Sequence, residues 1–102
     1  MNNPKLTPEG DGRYRLEGEL NMQTVPELWR KASLHLPGAT DVIDIDLAGV
    51  SRADSAGLAL LLDWLRLAEQ HQRTLTFSNL PKQLLEIARV SGLQDVLPLA
   101  NT

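Results

Sequence analysis

The residues with chemical reach gather at Arg52-Ala53-Asp54-Ser55-Ala56-Gly57, where a cation, a carboxylate and a hydroxyl stand just ahead of a leucine-rich run. A Ser or Asp immediately before a helix can accept a hydrogen bond from an N–H that the first helical turn leaves unpaired, and either Asp54 or Ser55 fits that place. The same helix start turns backbone donors outwards, where a partner's carboxylate or a phosphate would be favoured. The other candidates are weaker. Asp44 and Asp46 imitate a metal pair, but no third or fourth ligand stands near them, so they read as the wet side of a strand. His35 and His71 end helical stretches in polar company, where an imidazole favours the C-terminal dipole. No Gly-x-Ser-x-Gly elbow, phosphate loop or metal motif accompanies them. Neither an enzyme nor a bound metal or other cofactor is expected.

The elements that hold these residues must come from one small core, since 102 residues suit a single domain over positions 1–102. Apolar residues make up 42% of the chain but aromatics only 4%, so Leu, Val, Ile and Ala must fill the interior. Ten basic and thirteen acidic residues are interspersed, for a net charge of -3, and leave no basic stripe for nucleic acid. The chain has no cysteine, which excludes disulfides and thiolate zinc sites and permits a reducing compartment. Met1 to Lys5 lead into polar residues, so no secretory signal is expected there. The longest apolar run, Leu58 to Leu62, is far below the ~20 residues that span a bilayer. The expected location is the cytoplasm, with any membrane process reached through a partner and without direct membrane insertion.

Residues 13–20 alternate strictly, with Tyr14, Leu16 and Leu20 on one face and charges on the other, as in a strand wet on one side. Gly10-Asp11-Gly12 is a turn signal, so a short strand around Lys5 to Pro8 can pair back as a hairpin. Thr24-Val25-Pro26-Glu27 carries the marks of a capped helix start, followed by Val25, Leu28, Trp29, Ala32 and Leu36 on one face, with Pro37-Gly38 as the stop. Ile43, Ile45 and Leu47 oppose Asp44 and Asp46 on the next strand. A long helix over 55–70 follows, then a strand in which Leu75 and Phe77 alternate with Thr74 and Thr76. Pro81 opens a last helix whose buried face is Leu80, Leu84, Ile87, Ala88 and Ser91, with Gly92-Leu93 as a left-handed stop. Residues 99–102 are expected to fray. The order is strand, strand, helix, strand, helix, strand, helix, and it predicts an α/β fold: a mixed four- to five-stranded sheet with helices packed mainly on one face.

Val50-Ser51-Arg52-Ala53-Asp54-Ser55-Ala56-Gly57-Leu58-Ala59-Leu60-Leu61-Leu62, with Leu16-Glu17-Gly18-Glu19-Leu20 upstream, resembles the STAS family. That family includes the anti-sigma factor antagonists and the cytoplasmic tails of sulfate transporters. The likeness runs from about Leu16 to Pro98 and is closer to the STAS subunits of Gram-negative phospholipid ABC transporters, which share the Val-Ser-Arg lead-in and the Gly-Leu-Ala-Leu-Leu-Leu run. The resemblance implies a STAS fold and a regulatory subunit that docks on the transporter's ATPase, and through it on the membrane permease, supporting outer-membrane lipid asymmetry.

The residues expected to meet the partner are Arg52, Asp54, Ser55, Ala56, Gly57, Leu60 and Trp64. Gly57 has a second reading, the close approach of helix to strand. Leu58, Leu61, Leu62 and Leu65 form one apolar face of the helix, while Leu60, Trp64 and Leu67 widen it beyond what a surface helix needs; that extra width is either interface or a broadly buried face. Trp29 reads as core, and Asp63 with Arg66 as a solvated rim. The alternative implied by the resemblance is an anti-sigma factor antagonist, in which the serine matching Ser55 is phosphorylated and the partner released. Arg52 makes a phosphate feasible and Asp54 opposes it. Asn21, where many STAS domains carry Asp, and Ala56, where the switch proteins often carry Ser or Thr, depart from that branch.

Overall fold

The computed structural model describes residues 4–32, 42–93 and 95–98. Four strands and three helices alternate as β1 (Lys5–Gly10), β2 (Arg13–Leu20), α1 (Val25–Ala32), β3 (Val42–Ala53), α2 (Ser55–Gln70), β4 (Thr74–Ser78) and α3 (Lys82–Val90). The strands lie side by side in chain order. β1 runs antiparallel to β2 as the expected hairpin, whereas β2–β3 and β3–β4 are parallel and joined through helices. The sheet is therefore mixed and four-stranded.

The period of two in the strands decides which face is dry. Leu16 and Leu20 on β2, Ile43, Ile45 and Leu47 on β3, and Leu75 and Phe77 on β4 are all buried, in one cluster with Leu28, Leu58, Leu60, Leu61, Trp64, Ala68, Leu84 and Ala88 from the helices. The helices cover that face. On the other face Asp44 accepts hydrogen bonds from the hydroxyls of Thr76 and Ser78, each at 3.0 Å, and Asp46 Oδ1 accepts from Asn79 Nδ2 at 3.0 Å and from the Ala48 N–H at 2.9 Å. The two aspartates thus tie β3 to β4 and the loop beyond it, where the sequence suggested side chains facing only water.

β3 does not keep its alternation. Arg15 pairs with Asp46 but Glu17 with Gly49, and Gly18 pairs with Val50 but Glu19 with Arg52, so β3 carries an extra residue twice against β2. Each bulge reverses which side chains point inwards. Hence Leu47 and Val50, three positions apart, are both buried. The first bulge needs a glycine, because a Cβ on Gly49 would stand 2.8 Å from Glu17 Cγ and 3.2 Å from the Leu16 carbonyl oxygen.

α1 starts differently from its sequence signature. Asn21 Oδ1 accepts from the N–H groups of Gln23 and Thr24 at 2.8 and 3.0 Å, while Thr24 Oγ1 donates to the Glu19 carbonyl at 2.8 Å and accepts from the Asn21 N–H at 3.0 Å. Thr24 is thus committed to the strand end behind it. Glu27, its supposed capping partner, instead faces Lys31 at 3.6 Å. The expected stop at Pro37-Gly38, together with Leu36 and His35, lies outside the described residues, as do residues 99–102. At the other end of the chain Gly92 takes a left-handed φ of 72° and Leu93 N–H reaches the Ala88 carbonyl at 2.7 Å, the stop that Gly92-Leu93 predicts. Ser91, expected on the buried face of α3, is exposed at its C-cap. The Pro98 carbonyl then accepts from Phe77 N–H at 2.9 Å, so the segment after α3 returns to the edge of β4.

Candidate functional site

Because β2 and β3 are parallel and in register at Leu20 and Ala53, the loops that follow them open at the same end of the sheet. Asp54 N–H donates to the Leu20 carbonyl at 3.1 Å, extending the ladder one residue past the strand. Asp54 stays extended (φ -119°, ψ -163°), which brings its Oδ1 to 2.8 Å from the Ala56 N–H, while its carbonyl accepts from Gly57 N–H at 2.9 Å. Asp54 is the cap. Ser55, the first residue of α2, is exposed and its hydroxyl has no hydrogen bond among the described residues. The N–H groups of Ala56 and Gly57 are taken within the turn, so what this end of α2 presents is chiefly a free hydroxyl, and less of an open anion cradle than the sequence suggested.

Beside the turn lies a groove of about 220 Å³, lined by Glu19, Leu20, Asn21, Arg52, Ala53, Asp54 and Gln83. Arg52 stands in register with Glu19, and its side chain makes no ion pair among the described residues. Asn21 Nδ2 donates to Glu19 Oε2 at 2.9 Å, which fixes that wall. Gln83, from the start of α3, closes the opposite side with its Oε1 accepting from the Ala53 N–H at 3.0 Å. Met22, on the wired loop next to Asn21, is 79% exposed. Sequence spacing points to neither Met22 nor Gln83 as part of this end, because only the strand order brings residues near 20, 53 and 83 together.

The structure separates the expected partner-binding residues into two groups. Arg52, Asp54 and Ser55 are exposed and Ala56 is half-buried. Gly57 is buried, and a Cβ there would meet Leu20 Cβ at 3.1 Å, so close packing of helix on strand is its role. Leu60 and Trp64 are 1% and 0% exposed, which removes both from any surface a partner could touch. Their side of α2 is the centre of the core stripe, and Leu62 and Leu65, expected at the centre, are its partly buried margins. The over-wide apolar arc therefore reflects a helix flanked on both sides by α1 and α3. Trp64 is buried at one cost, for its Nε1 finds no acceptor among the described residues. Trp29 is partly buried against the core, Asp63 and Arg66 pair at 3.2 Å on the rim, and His71 is the exposed C-cap of α2.

The family model described as "Mlab, STAS domain" matches residues 7–99. The Haemophilus influenzae protein named intermembrane phospholipid transport system binding protein MlaB is 33% identical over 97 residues, covering 92% of this chain and 87% of its own. The Escherichia coli protein of the same name is 36% identical over 84 residues, covering 81% and 84%. An anti-sigma-B factor antagonist of Staphylococcus epidermidis is 27% identical over 97 residues, covering 95% and 90%. Among solved structures, an anti-sigma factor antagonist from Mycobacterium paratuberculosis superposes with a TM-score of 0.75 at 21% identity, covering 97% of this chain and 85% of that one. A chain of the Acinetobacter MlaFEDB complex in its ATP-bound state does so with 0.72 at 22%, covering 88% and 95%. With all of the sheet but the first two residues of β1, the capped turn and the three helices inside the matched span, the chain belongs to the MlaB-type STAS domain family.

Proposed function

We propose that this protein is a non-catalytic accessory subunit of a phospholipid ABC transporter. It docks on the cytosolic ATPase subunit through Arg52, Asp54, Ser55 and Ala56, and stabilises or activates the assembled pump that maintains outer-membrane lipid asymmetry. It is cytoplasmic and peripheral to the inner membrane, held there by the ATPase and its permease. The observation that carries this reading is the division of labour in the turn. Asp54 alone caps α2, so Ser55 stands exposed and unengaged beside a groove, free for a partner. Identities of 33% and 36% to the MlaB proteins, against 27% to the antagonist, support the same choice. No helix among the described residues is long and apolar enough to cross a membrane, which suits attachment through a partner.

The phospho-switch reading meets an obstacle in the same geometry. A phosphate on Ser55 would sit next to the Asp54 carboxylate, and the Ala56 N–H that would best receive it is already held by that carboxylate. Co-purification from native membranes tests the two. An ABC ATPase recovered with the protein is the expected result; recovery of a sigma-factor regulator with no ABC ATPase would overturn it. Ser55→Glu should abolish ATPase binding while leaving the domain folded, and retained binding would remove Ser55 from the interface.

A further inference from the structure

We propose that Gln83 is a positioning residue for the docking turn, its side-chain amide standing in for the strand that β3 lacks at its C-terminal end. β4 pairs only with Val42–Asp46 of β3. From Leu47 to Ala53, β3 has β2 on one side and, among the described residues, no strand on the other. At the end of this overhang Asp54 N–H bonds back to Leu20 on the β2 side, while the preceding Ala53 N–H points the other way, to Gln83 Oε1 at 3.0 Å. The chain is therefore held from both sides immediately before it turns into α2.

The strut has a firm base. Gln83 lies in the first turn of α3, next to Leu84, which is fully buried. Ala53, at the other end, adjoins Asp54, whose extended backbone must hold so that its carboxylate meets the Ala56 N–H. The Gln83–Ala53 bond is exposed, so water can replace it with little effect on global stability. What water cannot supply is a fixed direction. Gln83 thus acts through the turn: it sets where Asp54 and Ser55 sit relative to the groove wall, and with it the fit to the ATPase.

This inference rests on the docking reading above, and its test separates the two. Gln83→Met keeps the length of the side chain and removes the acceptor, whereas Gln83→Glu keeps an acceptor oxygen. With Gln83→Met, amide exchange at Ala53 and at Ala56 should speed up several-fold at an unchanged melting temperature, and Gln83→Glu should restore protection at both. Affinity for the purified ATPase subunit should fall roughly three- to tenfold with Gln83→Met, the scale of one lost neutral hydrogen bond. In an Asp54→Ala background, where the turn is already released, the same change should cost little further affinity. Unchanged exchange at Ala56 would overturn the strut. An equal loss of affinity in both backgrounds would overturn it too, by making Gln83 a direct contact. If the unaltered protein binds no ABC ATPase, the docking reading fails, and the exchange rates alone still decide the role of Gln83.

Discussion

Replacing Asp54 and Ser55 one at a time by alanine tests the division of labour on which the docking reading stands. Asp54 contributes a cap hydrogen bond of 2.8 Å to the Ala56 N–H, a type of interaction worth about 1 kcal/mol. It also places a negative charge at the start of α2, whose first turn holds no acidic residue of its own, and a charge so placed adds about 0.3 to 1 kcal/mol. Asp54→Ala should therefore cost about 1 to 2 kcal/mol. For a domain of this size that is a fall in melting temperature of roughly 5 to 10 °C. Asp54→Asn keeps the acceptor and should lose only the charge contribution. Ser55→Ala removes a hydroxyl that bonds to nothing among the described residues, so stability should stay within about 0.5 kcal/mol of the unaltered protein. Binding should not track stability, with Ser55→Ala weakening the ATPase complex in a fully stable domain. Thermal and urea unfolding of the three variants, with ATPase affinity measured on each, is the assay. Loss of more than about 1 kcal/mol in Ser55→Ala, with Asp54→Ala neutral, would show that the cap has been assigned to the wrong residue.

Two further substitutions probe how α2 is seated. Gly57→Ala gains about 1 kcal/mol of helix propensity, but its Cβ would lie 3.1 Å from Leu20 Cβ and 3.3 Å from Leu20 Cδ1. Leu20 is fully buried and its strand is held against β3 at Ala53, so it cannot easily retreat; overpacking of about 1 to 3 kcal/mol should win and urea unfolding should show a net loss. A rise in stability would mean that the strand end yields. Trp64→Phe removes an indole N–H without an acceptor, worth about 1 to 3 kcal/mol in relief, against a cavity penalty of similar size. Calorimetry should find the variant within about 1 kcal/mol of the parent, and a loss above about 3 kcal/mol would show that Nε1 has a partner after all.

Wherever neighbours in sequence are also neighbours in space, the amino-acid order alone determined the outcome. Leu16 and Leu20, Ile43, Ile45 and Leu47, and Leu75 and Phe77 repeat with the pleat of a strand, and the pleat allows them only one dry face. The span of α2 and the left-handed stop at Gly92 are equally local, and the motif around Val50 to Leu62 was enough to place the chain in its family. The tertiary structure decided what depends on packing between elements. An amphipathic wheel reports that α2 is apolar over a wide arc, but only α1 and α3 on its flanks turn Leu60 and Trp64 into core and leave Leu62 and Leu65 at the margin. The two bulges of β3 depend on its register with β2, which no periodicity within β3 announces. Asp54 and Ser55 were interchangeable as caps until the bond from Asp54 N–H to Leu20 set the backbone direction at the turn. Gln83 is thirty residues from Ala53 in the chain, and because β4 pairs with β3 only as far as Asp46, a side-chain amide rather than another strand accepts the Ala53 N–H ahead of α2.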